Sequence, residues 1–147
     1  MTMSKANPDE PTGHRSLPHT ADITIEAWAP TRAGCYAEAI RALLGTFADT
    51  SQVLVAETVP LHIEPASDEE LLVALLEEVI YLLDVTGMLP AWVFVQETLE
   101  GGLGGTLDLA PLDAVALIGA APKAVSREGI DVSFEDGLWT CHATIDV

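Results

Sequence analysis

Residues 67–87 read SDEELLVALLEEVIYLLDVTG, and this stretch decides the fold. Ser67 followed three residues later by Glu70 is a capping box, in which side-chain oxygens satisfy the backbone N–H groups left open at a helix start. Helical spacing then holds until Gly87, a residue suited to the left-handed position that ends many helices. The polar residues are confined. Glu70, Glu77 and Asp84 recur every seven residues with Glu78 beside them, while Leu71, Leu72, Leu75, Leu76, Val79, Ile80, Leu82 and Leu83 cover most of the remaining circumference. A helix that is apolar over most of its girth must be covered on more than one side, so residues 69–85 are expected to form the central helix of the core.

Upstream, residues 22–28 alternate, with Ile23, Ile25 and Ala27 on one face and Asp22, Thr24, Glu26 and Trp28 on the other. That is the pattern of a half-buried strand, and Pro30 ends it. From Thr31, a natural cap, Ala33, Tyr36, Ala37, Ile40, Leu43, Leu44 and Phe47 recur at helical spacing. Residues 52–64 are rich in β-branched side chains and read as one long strand or two joined at Pro60. Downstream, strands are expected at 91–99, 104–109, 114–118, 123–126, 130–135 and 139–147. Glu128-Gly129 and Glu135-Asp136-Gly137 supply hairpin turns, and Gly101-Gly102 with Gly104-Gly105 read as a flexible connection. Two helices among about eight strands, without regular alternation, predict an α+β fold: a single domain with its helices packed on a largely antiparallel sheet.

The length of 147 residues allows one domain of ordinary size. Hydrophobic residues make up 49% and charged residues 20%, which excludes an intrinsically disordered chain. Acidic residues outnumber basic ones 23 to 6, for a net charge of -17, and residues 42–122 contain no Lys or Arg. Strong direct binding of nucleic acid is therefore not expected, because phosphates are held mainly by Lys and Arg; a cation or a basic protein suits this surface better. Glu77, Glu78 and Asp84 interrupt the most apolar stretch and exclude a membrane span there. Residues 1–13 are polar, carry Pro8, Pro11 and Gly13, and lack the apolar core of a signal peptide, so they read as a flexible tail on a cytoplasmic protein whose domain covers 14–147. Cys35 and Cys141 form neither a disulfide framework nor a C-x-x-C pair, and are expected to be small buried hydrophobes in a reducing compartment.

No phosphate-cradling loop and no activated nucleophile can be read from the chain. The chemistry concentrates at the two ends of the fold. On the last strand Trp139, Cys141, Ala143, Ile145 and Val147 share one face, leaving Thr140, His142, Thr144 and Asp146 on the other. The Asp146 side chain, a backbone carbonyl and the terminal carboxylate of Val147 thus fall within one residue of each other. If the first and last strands are neighbours, Asp22 joins them, and such a set of hard oxygens suits Ca²⁺ or Mg²⁺. A rival set of His19, Asp22, His142 and Asp146 could hold a transition metal, and the pattern leaves both open. His14 and His62 receive no role.

His19-Thr20-Ala21-Asp22 opening a strand, the helix carrying Glu78-Val79-Ile80-Tyr81-Leu82-Leu83-Asp84, Lys123-Ala124-Val125 before a glycine hairpin, and the ending Ile145-Asp146-Val147 together resemble the archease family. The resemblance runs in the same order from residue 14 to the end. It implies a non-catalytic accessory protein of an RtcB-type RNA-splicing ligase, an enzyme of tRNA splicing and RNA repair that uses GTP and a divalent metal. Such a protein promotes guanylylation and multiple turnover of the ligase. The resemblance further implies a cation, assigned in the family as calcium, on Asp22, Asp146 and the Val147 carbonyl, and a contact role for Lys123. Ser126-Arg127-Glu128 departs from the family's Thr-Tyr-His, and residues 113–121 are apolar where relatives are charged, so the details of partner contact differ. The competing readings are a small metal-dependent enzyme at the Asp22/Asp146 site, with His19 or His142 as base, and a chaperone-like interaction module.

Overall fold

The computed structural model describes residues 11–18 and 22–147. In chain order the elements are β1 (Gly13–Pro18), β2 (Asp22–Ala29), α1 (Arg32–Gly45), β3 (Ala48–Asp49), β4 (Glu57–Ile63), α2 (Asp68–Thr86), β5 (Met88–Glu97), β6 (Leu103–Pro111), β7 (Ala116–Leu117), β8 (Ala124–Val125), β9 (Asp131–Glu135) and β10 (Leu138–Asp146). All pairings are antiparallel. The larger sheet runs β1-β2-β10-β8 with β9 also on β10, the second runs β4-β6-β5, and β3 pairs with β7. The expected α+β class and the two helices are both present.

α2 forms as its sequence dictates. Ser67 Oγ accepts a hydrogen bond from the Glu70 N–H at 3.2 Å, and the helix ends at Gly87 in the left-handed conformation, φ 68°. Leu71, Leu72, Leu75 and Leu76 are fully buried, while Glu70, Glu77 and Asp84 face solvent. The helix packs on α1, on β4 and β5 of the second sheet, and on β8 and β9 of the first, which is the many-sided cover its pattern requires. α1, capped by Thr31 Oγ1 accepting from the Gly34 N–H at 3.1 Å, lies against β1, β2 and β10 and also touches β5. The buried Tyr36 hydroxyl donates to the Asp68 carbonyl at 2.9 Å, tying the two helices together, and burial pushes this phenol well above its ordinary pKa.

Several boundaries differ from expectation. Residues 52–56 are not strand: Leu54 and Val55 are exposed, so their side chains have no face to cover, and β4 starts at Glu57. Gly104 and Gly105, read both as the start of a strand at 104–109 and as part of a flexible connection, belong to β6; a Cβ on Gly105, at φ 142°, would lie 1.9 Å from the Phe94 carbonyl oxygen, so close strand approach demands glycine there. Where one strand was expected at 114–118, a 3-10 turn at Leu112–Ala114 leads into the two-residue β7. β1 and β3 were not anticipated. The expected tail falls mainly on residues outside those described, as do His19, Thr20 and Ala21.

Cys35 and Cys141, 106 positions apart, meet in the core with Sγ atoms 3.5 Å apart as free thiols. Their mutual hydrogen bond and burial raise the Cys141 thiol well above its usual range, so it packs as a neutral group. No helix among the described residues is long and apolar enough to cross a membrane.

Candidate metal and partner site

The β2–β10 ladder sets Asp22 opposite Asp146, Thr24 opposite Thr144, Glu26 opposite His142 and Trp28 opposite Thr140. Directly opposed residues project to the same face, so the two aspartates confront each other at the end of the sheet. The neighbouring threonine hydroxyls lie 3.4 Å apart and bind the next rung. Asp22 is half-buried and Asp146 exposed. The Lys123 N–H donates to the Asp146 carbonyl at 2.8 Å, and β8 follows alongside. Asp22, Asp146, Val147 and Lys123, singled out from separate parts of the sequence, therefore collect at one end of one sheet.

The donor chemistry here is hard oxygen: two carboxylates with the adjoining backbone carbonyl of Val147. That set fits Ca²⁺ or Mg²⁺, whose shells are commonly completed by water. Among the described residues no group of three or more His, Cys, Asp or Glu gathers to hold a metal.

Of the nitrogen set, His19 lies outside the described residues. His142 shares the face of Asp146 but lies four residues away, about 13 Å along the strand. Its Nε2 instead lies 3.5 Å from Glu26 Oε2 and its Nδ1 3.9 Å from Asp131 Oδ2. His14 and His62 are held in pairs with Glu38 and Glu64, as their lack of a role implied.

Charge pairing on this side of the molecule was not legible. The polar face of β2 was expected to be solvated, yet Glu26 is 6% and Trp28 3% exposed. β1 is the cause. Arg15 donates from Nε at 3.0 Å and Nη2 at 2.8 Å to Glu26 Oε2, and Trp28 lies over Gly13, where a Cβ would come within 2.5 Å of its ring. On the opposite face Glu38 of α1 takes hydrogen bonds from His14 at 2.6 Å and Arg41 at 2.7 Å. Burial raises the Glu38 carboxyl, but the His14 hydrogen bond and the charges of His14 and Arg41 outweigh it and hold the pKa below the ordinary range. Arg32 bonds to Asp68 and Glu97 and covers the Trp139 ring, 5.9 Å from its centroid, and Arg127 pairs with Glu77 at 3.4 Å. Lys123 is exposed, and its ammonium has no ion-pair or hydrogen-bond partner among the described residues.

The model of the archease protein family (MTH1598/TM1083) matches residues 14–147. A Mycobacterium tuberculosis protein named probable protein archease is 40% identical over 140 residues, covering 95% of this chain and 78% of that protein. Protein archease of Methanopyrus kandleri is 30% identical over 135 residues, covering 89% and 96%. In fold, the chain resembles the solution structure of protein 1598 of Methanobacterium thermoautotrophicum, with TM-score 0.73 and 23% identity over 92% of this chain and 99% of that one. It also resembles the crystal structure of a Thermotoga maritima archease described as a possible chaperone, with TM-score 0.65 and 16% identity over 89% and 94%.

Proposed function

The chain belongs to the archease family, and we propose that it is a non-catalytic accessory protein that activates an RtcB-type RNA-splicing ligase, promoting its guanylylation and multiple turnover in tRNA splicing and RNA repair. In this reading Asp22, Asp146 and the Val147 carbonyl hold a divalent cation of the calcium type, and Lys123 contacts the ligase. A cation bound there supplies neutralisation of two facing carboxylates. The residues themselves do the rest: the ladder fixes the two side chains, and the Lys123 N–H, by holding the Asp146 carbonyl, keeps the lysine beside them.

The observation that carries the reading is this juxtaposition of an exposed, uncommitted lysine with an opposed aspartate pair. Every described arginine is engaged with a carboxylate, so Lys123 is the described cation best placed to meet a partner's acidic group or phosphate. Of the enzyme reading's two candidate bases, His142 lies about 13 Å along the strand from Asp146, and His19 falls outside the described residues. The test is a guanylylation and multiple-turnover assay of the cognate ligase with and without the protein. Stimulation that weakens as salt rises is expected, since the charge contact is screened over ~10 Å at 0.1 M. Ligase turnover unchanged at several salt concentrations, with Ca²⁺ or Mn²⁺ present, would overturn the reading.

A further inference from the structure

Trp92 and Phe94 take no part in the core or in the site at the β2–β10 end. They are 64% and 56% exposed, and they occupy alternate positions of β5, with Val95 buried on the other side of the strand. Both therefore stand on the outer face of the β4-β6-β5 sheet. The register sets Trp92 beside Asp108 and Asp108 beside Thr58 in one row, and Phe94 beside Thr106 and Thr106 beside Pro60 in the next. Asp108 Oδ1 accepts a hydrogen bond from Thr58 Oγ1 at 2.7 Å, which fixes the carboxylate among the exposed rings. Two neighbouring exposed aromatics on one sheet face form a patch that isolated surface apolar residues do not.

The charge around the patch narrows its partner. All three strands come from residues 42–122, which contain no Lys or Arg, in a chain of net charge -17. The nearest arginine, Arg41, is paired with Glu38 and also reaches the Val93 carbonyl at the edge of β5. A single-stranded nucleic acid would gain stacking on the rings but bring its phosphates to an anionic surface. A second copy would bring together two chains of net charge -17, which repel. A guanidinium meets every group present: its plane stacks on an indole or phenyl ring while its N–H groups donate to a carboxylate.

We propose that the outer face of β4-β6-β5, centred on Trp92, Phe94 and Asp108, is a second docking surface, and that it takes an arginine side chain from the basic face of the ligase partner. The arginine chemistry stands on the geometry; the identity of the partner rests on the accessory-protein reading above.

Calorimetric titration with a hexa-arginine and a hexa-lysine peptide tests the chemistry. The double variant Trp92→Ala/Phe94→Ala leaves net charge unchanged and removes exposed rings, and an unaltered melt establishes that it folds. Wild type should bind the arginine peptide several-fold more tightly than the lysine peptide, and the double variant should lose about 5–30-fold, the range of two exposed cation–π contacts. Glu69→Gln/Glu70→Gln, which removes two charges from α2, should keep the preference for arginine. Equal affinity of wild type and the ring variant would mean unspecific attraction to an acidic protein and overturn the proposal, as would tighter binding of oligothymidylate or a ring-dependent dimer in sedimentation. With the ligase, the ring variant should need several-fold more protein for half-maximal stimulation, and an unchanged requirement overturns the proposal. Wild type that binds the arginine peptide through its rings yet fails to stimulate the ligase refutes the accessory-protein reading and with it the partner named here.

Discussion

Replacing Asp146 by Asn tests the cation site through stability alone, without the ligase. In the cation-free protein Asp22 and Asp146 are directly opposed on one sheet face, an arrangement of like charges that costs roughly 0.2–1 kcal/mol. For a domain of about 150 residues, each kcal/mol moves Tm by roughly 2–4 °C, so Asp146→Asn should leave the melt unchanged or raise it by up to about 4 °C. Calcium at about a hundred times its Kd should stabilise wild type by about 2.7 kcal/mol, a rise of roughly 5–11 °C, and leave Asp146→Asn unmoved. General screening by calcium of so acidic a surface needs its own control. Asp136→Asn serves, because Asp136 is an exposed carboxylate in the β9–β10 turn at φ 53°, a conformation that Asn tolerates. That variant should retain the full calcium shift. Scanning calorimetry with chelator and with calcium at matched ionic strength decides the matter: equal shifts in wild type and Asp146→Asn, or no shift in wild type, would refute the site.

Three further outcomes follow from the geometry. Leu76→Ala should cost about 2–5 kcal/mol in denaturant melts, as a fully buried leucine in the central helix, whereas Glu77→Ala should stay within about 0.5 kcal/mol because its pair with Arg127 is exposed. Glu38 is held below the ordinary carboxylate pKa of 4.5, so its contribution to stability is present above that value and is lost as pH falls through the lowered one; Glu38→Gln should be less stable at neutral pH and show a flatter loss of stability on acidification below about 4.5. Lys123→Ala should impair ligase stimulation while keeping the calcium-induced rise in Tm, since its backbone N–H still holds the Asp146 carbonyl.

What could be read from the sequence was local. α2 carries its own cap, its period and its terminal glycine within residues 67–87, and β10 declares its faces by strict alternation, so neither needed knowledge of a partner. The Asp22–Asp146 pairing was conditional on two strands being neighbours. Alternation put both carboxylates on polar faces, and only the ladder set them opposite one another. β1 has no such signature: Gly13, Pro18 and a mixed sequence between them form a strand because Arg15 and His14 find Glu26 and Glu38 on β2 and α1. Missing that strand is what made Glu26 and Trp28 look solvated. Residues 52–56 erred in the opposite direction, since β-branched residues favour a strand only where a sheet edge and a face await them.

The same ion pairs explain how so acidic a chain can fold around buried carboxylates. Glu26 and Glu38 sit inside, where an unpaired carboxylate would be costly, and Arg15 and Arg41 are spent on them. Arg32 joins Asp68 and Glu97 across the start of α2, and Arg127 lies against the acidic stripe of that helix. Each described arginine pairs with a carboxylate, and Asp22 and Asp146 stand directly opposed on the β2–β10 ladder. In the reading proposed above, a cation from solution would neutralise this facing pair without disturbing those ion pairs. Lys123, exposed and beside Asp146 through its backbone N–H, would in that reading join ion binding and partner contact at the same end of the sheet.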